Sequence, residues 1–413
     1  MKLTSLNTYS PRRVLTLLGM GTAVSLLGDA TLYTVLPNPS IASEVGISLG
    51  MVGVLLGANR AVRLLLNGPM GILYDRLPRR GLLVASLILG TLSNLSYALG
   101  IGFIPFLAGR IAWGVAWALL YIGGNAVVLD ISTDQNRGKH SGQYQMWFFF
   151  GVAFSSFSGG LLTDLFGFRT TMWLTTAVIG GMALVWLLLF PETRPAALAA
   201  KPAAQQSTPS DNFPWNFVLQ AGVPVFASRF VDWGVMAATG ILWISAFIGD
   251  GIKIAGIYIP LATFTGSFTA LTMLASIGGA PAAGYLSDKL GKRWGVLAVS
   301  ALIGALGIWM MSTPWIAIAL IGAVLAKITG GSVESLVPAL AGDQIEKPAQ
   351  GRVLGMIYTF GDLGSTLGPP VALGLLNAES LSLTEIYQLC VLAYLLVMGF
   401  AIRQQNKSNI AKT

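Results

Sequence analysis

Nine formal charges lie inside long apolar stretches of this 413-residue chain: Asp29, Arg60, Arg63, Arg110, Arg229, Asp232, Lys327, Glu334 and Asp362. Buried carboxylates of this kind can take up and release protons, because burial disfavours their charged form. Buried cations can neutralise such carboxylates or hold an anionic ligand group. Insertion scales place each charge at roughly 2.5–3.5 kcal/mol when it faces lipid at the bilayer centre. Nine of them would total about 25 kcal/mol, against a typical net stability of about 5–15 kcal/mol. They are therefore expected to face one another or a wet cavity, and five cations against four anions nearly balance. Arg60, Arg63 and Asn67 stand at i, i+3 and i+7, on one helical face. Two like charges on one face repel unless an anion or an acid lies between them. The occupant is either an anionic substrate group or a structural partner, Asp29 or Asp362. Lys327 and Glu334 share a face at i, i+7, and Lys327 could neutralise Glu334; Arg229 and Asp232 share one at i, i+3. Asp29, eight residues before Pro37, and Arg110, five after Pro105, sit at comparable depth, which predicts a contact between them. Among the span aromatics, Trp113 and Trp233 neighbour charged positions and are the ones expected to line a cavity.

The elements that position these residues are set by composition. Hydrophobic residues make up 54% of the chain and charged ones 10%, with 50 glycines and a mean hydropathy of +0.70. Soluble domains carry about 25% charged residues, so lipid must be this chain's solvent. Apolar runs long enough to cross a hydrocarbon core occur twelve times, near 14–37, 47–72, 81–101, 105–129, 143–165, 171–190, 217–246, 257–285, 294–311, 314–341, 353–376 and 384–402. Helices are the expected spanning element. Of 25 Lys and Arg, eighteen fall at the termini and in the even-to-odd loops, two (Arg169 and Lys253) in the opposite loops and five in spans. The positive-inside rule then predicts a multi-pass protein of the cell (inner) membrane with both termini cytoplasmic. The stretch Pro191 to Pro214, rich in Ala, Pro, Ser and Gln, reads as a flexible cytoplasmic linker. It divides an N-terminal six-helix bundle (1–190) from a C-terminal one (215–413).

The two halves repeat. Gly71-x-x-x-Asp75-Arg76-x-Pro78-Arg79-Arg80 recurs as Gly284-x-x-x-Asp288-Lys289-x-Gly291-Lys292-Arg293 at an offset of 284 − 71 = 213. Asp130 and Gly142 recur as Asp343 and Gly355, and Gly151 as Gly364, at the same offset. Such duplicated units occur in transporters whose substrate path lies at the repeat interface.

GILYDRLPRR and GYLSDKLGKR resemble the loop signature between helices 2 and 3, and its repeat between 8 and 9, of the major facilitator superfamily. Arg110-x-x-x-Gly114 resembles that family's fourth-helix arginine motif, and Gly151-x-x-x-Ser155-Ser156-x-x-Gly159-Gly160 its fifth-helix glycine-rich antiporter motif. PET at Pro191 to Thr193 and GFR at Gly167 to Arg169 are weaker echoes. Pro78 stands where the loop motif usually has glycine, and Ser155-Ser156 where exporters usually have Gly-Pro, a pair present instead at Gly368-Pro369. The resemblance implies an all-α fold of two pseudo-symmetric six-helix bundles, alternating access, and proton-coupled export of a small amphipathic molecule or drug. It assigns proton coupling to Asp29 and Arg110; Glu334 and Asp362 are further candidate carriers because they are carboxyls within spans, where burial favours the protonated form. Substrate binding is expected at Arg60, Arg63, Asn67, Trp113, Asp232, Trp233 and Lys327. Gly71, Asp75, Arg76, Arg79, Gly284, Asp288, Lys289 and Lys292 would gate the transition. The alternative is transport of an anionic metabolite, siderophore or lipid on Arg60 and Arg63.

Other chemistry finds little support. One histidine, His140, leaves no multi-histidine metal site, no GxxxxGK[ST] loop is present, and the single cysteine, Cys390, can form no internal disulfide. No cofactor and no nucleic acid are expected, and a membrane enzyme is disfavoured. The partners are a small-molecule substrate, protons and the bilayer, and by resemblance the protein works as a monomer. A non-transporting sensor of the same fold would lack ligand-triggered proton flux.

Overall fold

The computed structural model describes residues 9–133, 136–194, 213–345 and 347–410. Long helices dominate: α1 (Pro11–Val35), α3 (Leu49–Arg76), α4 (Arg79–Leu99), α5 (Phe103–Asp130), α6 (Arg137–Phe166) and α7 (Phe168–Leu189) form a first set of six, with a short α2 (Pro39–Glu44) between α1 and α3. The second set starts with a rod made of α8 (Trp215–Arg229), a π-helical turn (Phe230–Met236) and α9 (Ala237–Ile248). It continues with α10 (Leu261–Leu290), α11 (Arg293–Met311), α12 (Ile316–Gln344), α13 (Lys347–Asn377) and α14 (Leu383–Ile410). Among the described residues, eleven of these rods are long and apolar enough to cross a membrane. The twelfth expected span, 353–376, falls within α13.

Several helices run beyond the apolar windows, because polar ends can continue into the headgroup region without breaking the backbone ladder. One expectation is corrected: 257–260 is not helical. Ile257–Pro260 forms β2, paired antiparallel with β1 (Gly251–Ile254) through a two-residue turn in which Ala255 and Gly256 both have positive φ. That geometry matches the right-handed twist of a hairpin.

Helix ends are fixed by side chains from elsewhere in the chain. The Glu192 carboxylate accepts from the backbone amides of Arg79 (2.9 Å) and Arg80 (3.0 Å), capping α4. Arg169 donates to the carbonyls of Ala98 (2.9 Å) and Gly100 (3.0 Å) at its other end. These are the orphan groups that every helix terminus presents. Most of the Pro191–Pro214 linker lies outside the described residues.

The repeat seen in sequence returns as packing. In the first half α1 packs on α6, α3 on α5, and α4 on both α5 and α7. The second half repeats each pair, α8 on α13, α10 on α12, and α11 on both α12 and α14. The halves meet along two seams, α3 with α13 and α6 with α10. Both seams are tight on the side away from the chain termini. A Cβ added at Gly53 or Gly57 would overlap the backbone of Pro369 or Thr366, and one added at Gly160 or Gly266 that of Ala262 or Ser156. Asp164 of α6 clasps the same side, accepting from both the amide and the hydroxyl of Thr263 at 2.6 Å, inside the first turn of α10. The apolar core there is continuous across the halves, joining Leu32, Leu56 and Val52 to Val235, Ile241 and Leu373.

On the terminal side the halves part. The cores there are separate, one almost wholly of the first half and one wholly of the second. Gly71, Gly142 and Gly355 have no foreign atom near the place a Cβ would occupy. The molecule is thus closed on one side and open on the side of its termini. Gly160→Val should prevent closure, since the added methyls need the space of the Ala262 backbone. Spin labels on cysteines introduced at Ser48 and Ala378, with the buried Cys390 replaced by Ser, should report a shift to longer distances in that variant relative to the same labelled chain with Gly160 intact.

Candidate functional site

At mid-depth the expected Asp29–Arg110 pair is present. Arg110 is fully buried; its Nη1 meets Asp29 Oδ1 at 2.5 Å, and Nε donates to the Leu55 carbonyl at 2.9 Å. A guanidinium with this many acceptors is held in one orientation, as its rigid fork of donors favours. Asn59 Nδ2 donates to the same Asp29 oxygen at 3.4 Å. Tyr33, which the sequence did not single out, donates to the Leu56 carbonyl at 2.5 Å and turns its ring to both Arg110 (5.5 Å) and Arg60 (5.2 Å).

A second network spans the halves. Asp362 of α13 receives Arg63 Nη2 at 2.8 Å and Asn67 Nδ2 at 3.3 Å from α3, and stands 3.6 Å from Arg229 Nη1 of α8. Arg229 Nε in turn meets Glu334 Oε1 of α12 at 2.8 Å. The four-residue spacing of Arg63 and Asn67 lets both reach one carboxylate. Of the occupants left open for the α3 face, Arg63 has the structural partner Asp362. Glu334 pairs with Arg229, which corrects its expected neutralisation by Lys327.

Lys327 instead donates to the backbone carbonyl of Asp232 at 2.9 Å. Asp232 lies in the π-helical turn, where the widened backbone departs from the regular ladder, a feature often found at functional sites. Its Oδ2 accepts from Ser228 Oγ at 3.4 Å and packs on Gly330, while Oδ1 has no partner among the described residues. Two cations, Arg60 and Lys327, each stand 5.7 Å from the ring centre of Trp233. Trp113 does not line a cavity. It is 2% exposed and packs against Trp117 and Gly90 inside the first-half core. Among the described residues no group of His, Cys, Asp and Glu could hold a metal ion.

A family model described as Major Facilitator Superfamily matches residues 18–267 and 254–412. The chain belongs to the Major Facilitator Superfamily. It is therefore a multi-pass membrane transporter. It is 23% identical over 369 residues to the class C tetracycline resistance protein of Escherichia coli, covering 88% of this chain and 87% of that one. It is 28% identical over 193 residues to a chloramphenicol efflux pump of Mycobacterium tuberculosis, 46% of each chain. In fold it resembles a bacterial homologue of the human lysosomal transporter Spinster (TM-score 0.72, 17% identity, 95% of each chain) and a POT family transporter (0.77, 11%, 96% of each).

The loop motifs of the transporter form one charge cluster in each half. Arg79 Nε meets Asp130 Oδ2 at 3.2 Å, and Thr193 joins that carboxylate at 3.2 Å. In the repeat Arg293 holds Asp288 at 2.8 Å and also pairs with Asp343. Asp130 and Asp343, recognised in sequence only as repeat landmarks, are thus the anchors of both clusters. Gly291 ends α10 with φ +61°, a left-handed cap that Pro78 at the equivalent place cannot adopt. Gly71 and Gly284 make no tight helix contact in this state, and Arg76, Lys289 and Lys292 are exposed. The side chain of Asp75 lies outside the described residues.

Removing one member of a buried ion pair strands the other, at about 3–5 kcal/mol, whereas removing both is far milder. Asp29→Leu should therefore lower the melting temperature in detergent substantially, and Asp29→Leu/Arg110→Leu should recover much of the loss. Additive losses in the double variant would show that the two side chains do not interact.

Proposed function

We propose that this transporter exports a small amphipathic molecule in exchange for protons by alternating access. The reading rests on the Asp29–Arg110 pair at mid-depth: among the described residues Arg110 is the one cation that forms an ion pair with Asp29, and a proton can take the place of that partner on the carboxylate when the two part. Its position beside the Arg60–Tyr33 contact puts it within reach of any molecule entering from the open side. The tetracycline and chloramphenicol exporters among its relatives favour drug-like cargo.

In this scheme the halves, 1–190 and 215–413 joined by the 191–214 linker, rock about the mid-depth layer. The Lys and Arg distribution makes the open, terminus-bearing side cytoplasmic, so the state described here is loaded from the cytoplasm. Asp362 is the second carrier, with Glu334 behind it. Protonating Asp362 removes the charge that ties Arg63 of α3 to Arg229 of α8, and so loosens the seam between the halves. In the opposite state the terminal side closes, and the clusters around Asp75, Arg79 and Asp288 come together as the lock. Each proton moved through 100 mV supplies about 2.3 kcal/mol. The protein works as a monomer in the cell (inner) membrane.

The test is proton flux in proteoliposomes carrying a pH-sensitive dye. Addition of tetracycline or chloramphenicol should drive proton movement in the wild type, and Asp29→Asn should abolish it while ligand binding persists. A signal of undiminished size in Asp29→Asn would contradict the assignment.

A further inference from the structure

The mid-depth charges do not all cancel. Asp29 answers Arg110, and Asp362 with Glu334 answers Arg63 and Arg229. Three charges remain, Arg60, Lys327 and Asp232, with a net charge of +1. Among the described residues Arg60 makes no ion pair, although it is only 9% exposed; its recorded partners are the rings of Tyr33 and Trp233. Lys327, 7% exposed, spends its hydrogen bond on a neutral carbonyl. Asp232 is the nearest counter-charge to Lys327, which holds its main chain, but its carboxylate meets Ser228 and the Gly330 face of α12 and forms no ion pair with either cation, so one positive charge stays unanswered.

The two cations come from different halves, α3 and α12, and stand at equal distance from one ring, 5.7 Å from the centre of Trp233. They are thus no further apart than twice that distance, a gap that a ring bearing a carboxylate can fill. The face of α3 also grades outward from this point: Arg60 is buried, Arg63 has a side chain 17% exposed, and Asn67 is exposed. Arg60 therefore stands at the inner end of the space open to the terminal side.

We propose that Arg60 and Lys327 close from opposite halves on an anionic group of the substrate, with Trp233 as the platform for its aromatic or apolar body. The substrate class is an amphipathic organic anion. Because each half supplies one cation, the anion draws the halves together where they must move, and it supplies the charge that the buried set lacks. This deepens the export reading by naming its cargo, and rests on it only for the direction of movement.

The experiment is calorimetric binding to the purified full-length protein of three matched probes: 2-naphthoate, the neutral 2-naphthamide and the cationic 2-naphthylmethylammonium. The wild type should bind the carboxylate at least tenfold more tightly than the amide and bind the ammonium most weakly. Arg60→Gln and Lys327→Gln should each reduce the carboxylate preference to twofold or less. Arg60→Lys and Lys327→Arg should retain most of it, and Lys407→Gln, on the exposed end of α14, should leave it unchanged. A wild-type preference below twofold, or no binding of the carboxylate, overturns the proposal whatever the variants do. Binding is read without proton flux, so undiminished coupling in Asp29→Asn with the preference intact would fault the proton assignment and leave the anion site standing.

Discussion

A charge at mid-depth in a bilayer has no water to turn to, and each one left facing lipid costs a sizeable part of what a folded protein has to spend. That constraint organises the structure. It draws Asp29 to Arg110, and it makes Asp362 the meeting point of Arg63 and Arg229 across the two halves. It also explains why the remaining cations face rings: Tyr33 and Trp233 offer their negative faces to Arg60, an attraction worth about 0.5–2 kcal/mol. Of these contacts the ion pair of Arg63 with Asp362 joins the two halves, and it lasts only while that carboxylate is charged.

Around this layer the molecule is asymmetric in depth. On one side small residues allow backbone to meet backbone, and Asp164 caps a helix of the other half. On the terminal side the halves carry separate apolar cores, and each loop motif is satisfied within its own half. The arrangement is thus closed by packing at one end and open at the other, with the charged layer between.

Much of this was legible in sequence, because membrane solvent is so exacting. The spans follow from apolar run length, and the constant offset of 213 foretold that α8–α14 would repeat the helix pairings of α1–α7. The depth of Asp29 and Arg110, counted from Pro37 and Pro105, was enough to pair them. What sequence could not give was the choice among partners. Helical spacing placed Arg60, Arg63 and Asn67 on one face, yet which acid lay opposite depended on how α13 sits against α3. The same gap hid Lys327's bond to a carbonyl, since the π-helical turn at Phe230–Met236 has no periodic signature. Trp113 was misjudged because a tryptophan beside a charge looks alike whether it faces a cavity or a neighbouring glycine. Glu192 and Asp164 escaped notice because a carboxylate that caps a distant helix end carries no local pattern, and the Ala255-Gly256 hairpin was absorbed into the apolar run that follows it.

The central proposal is that proton exchange at Asp29 is coupled to which side of the transporter is open. Paired spin-label distances across the terminal side and across the opposite side, recorded in lipid nanodiscs between pH 5.5 and 8.5, test it directly. The wild type should show the two distributions changing reciprocally with pH, and Asp29→Asn should show both fixed. Reciprocal, pH-dependent distances that persist unchanged in Asp29→Asn would contradict it.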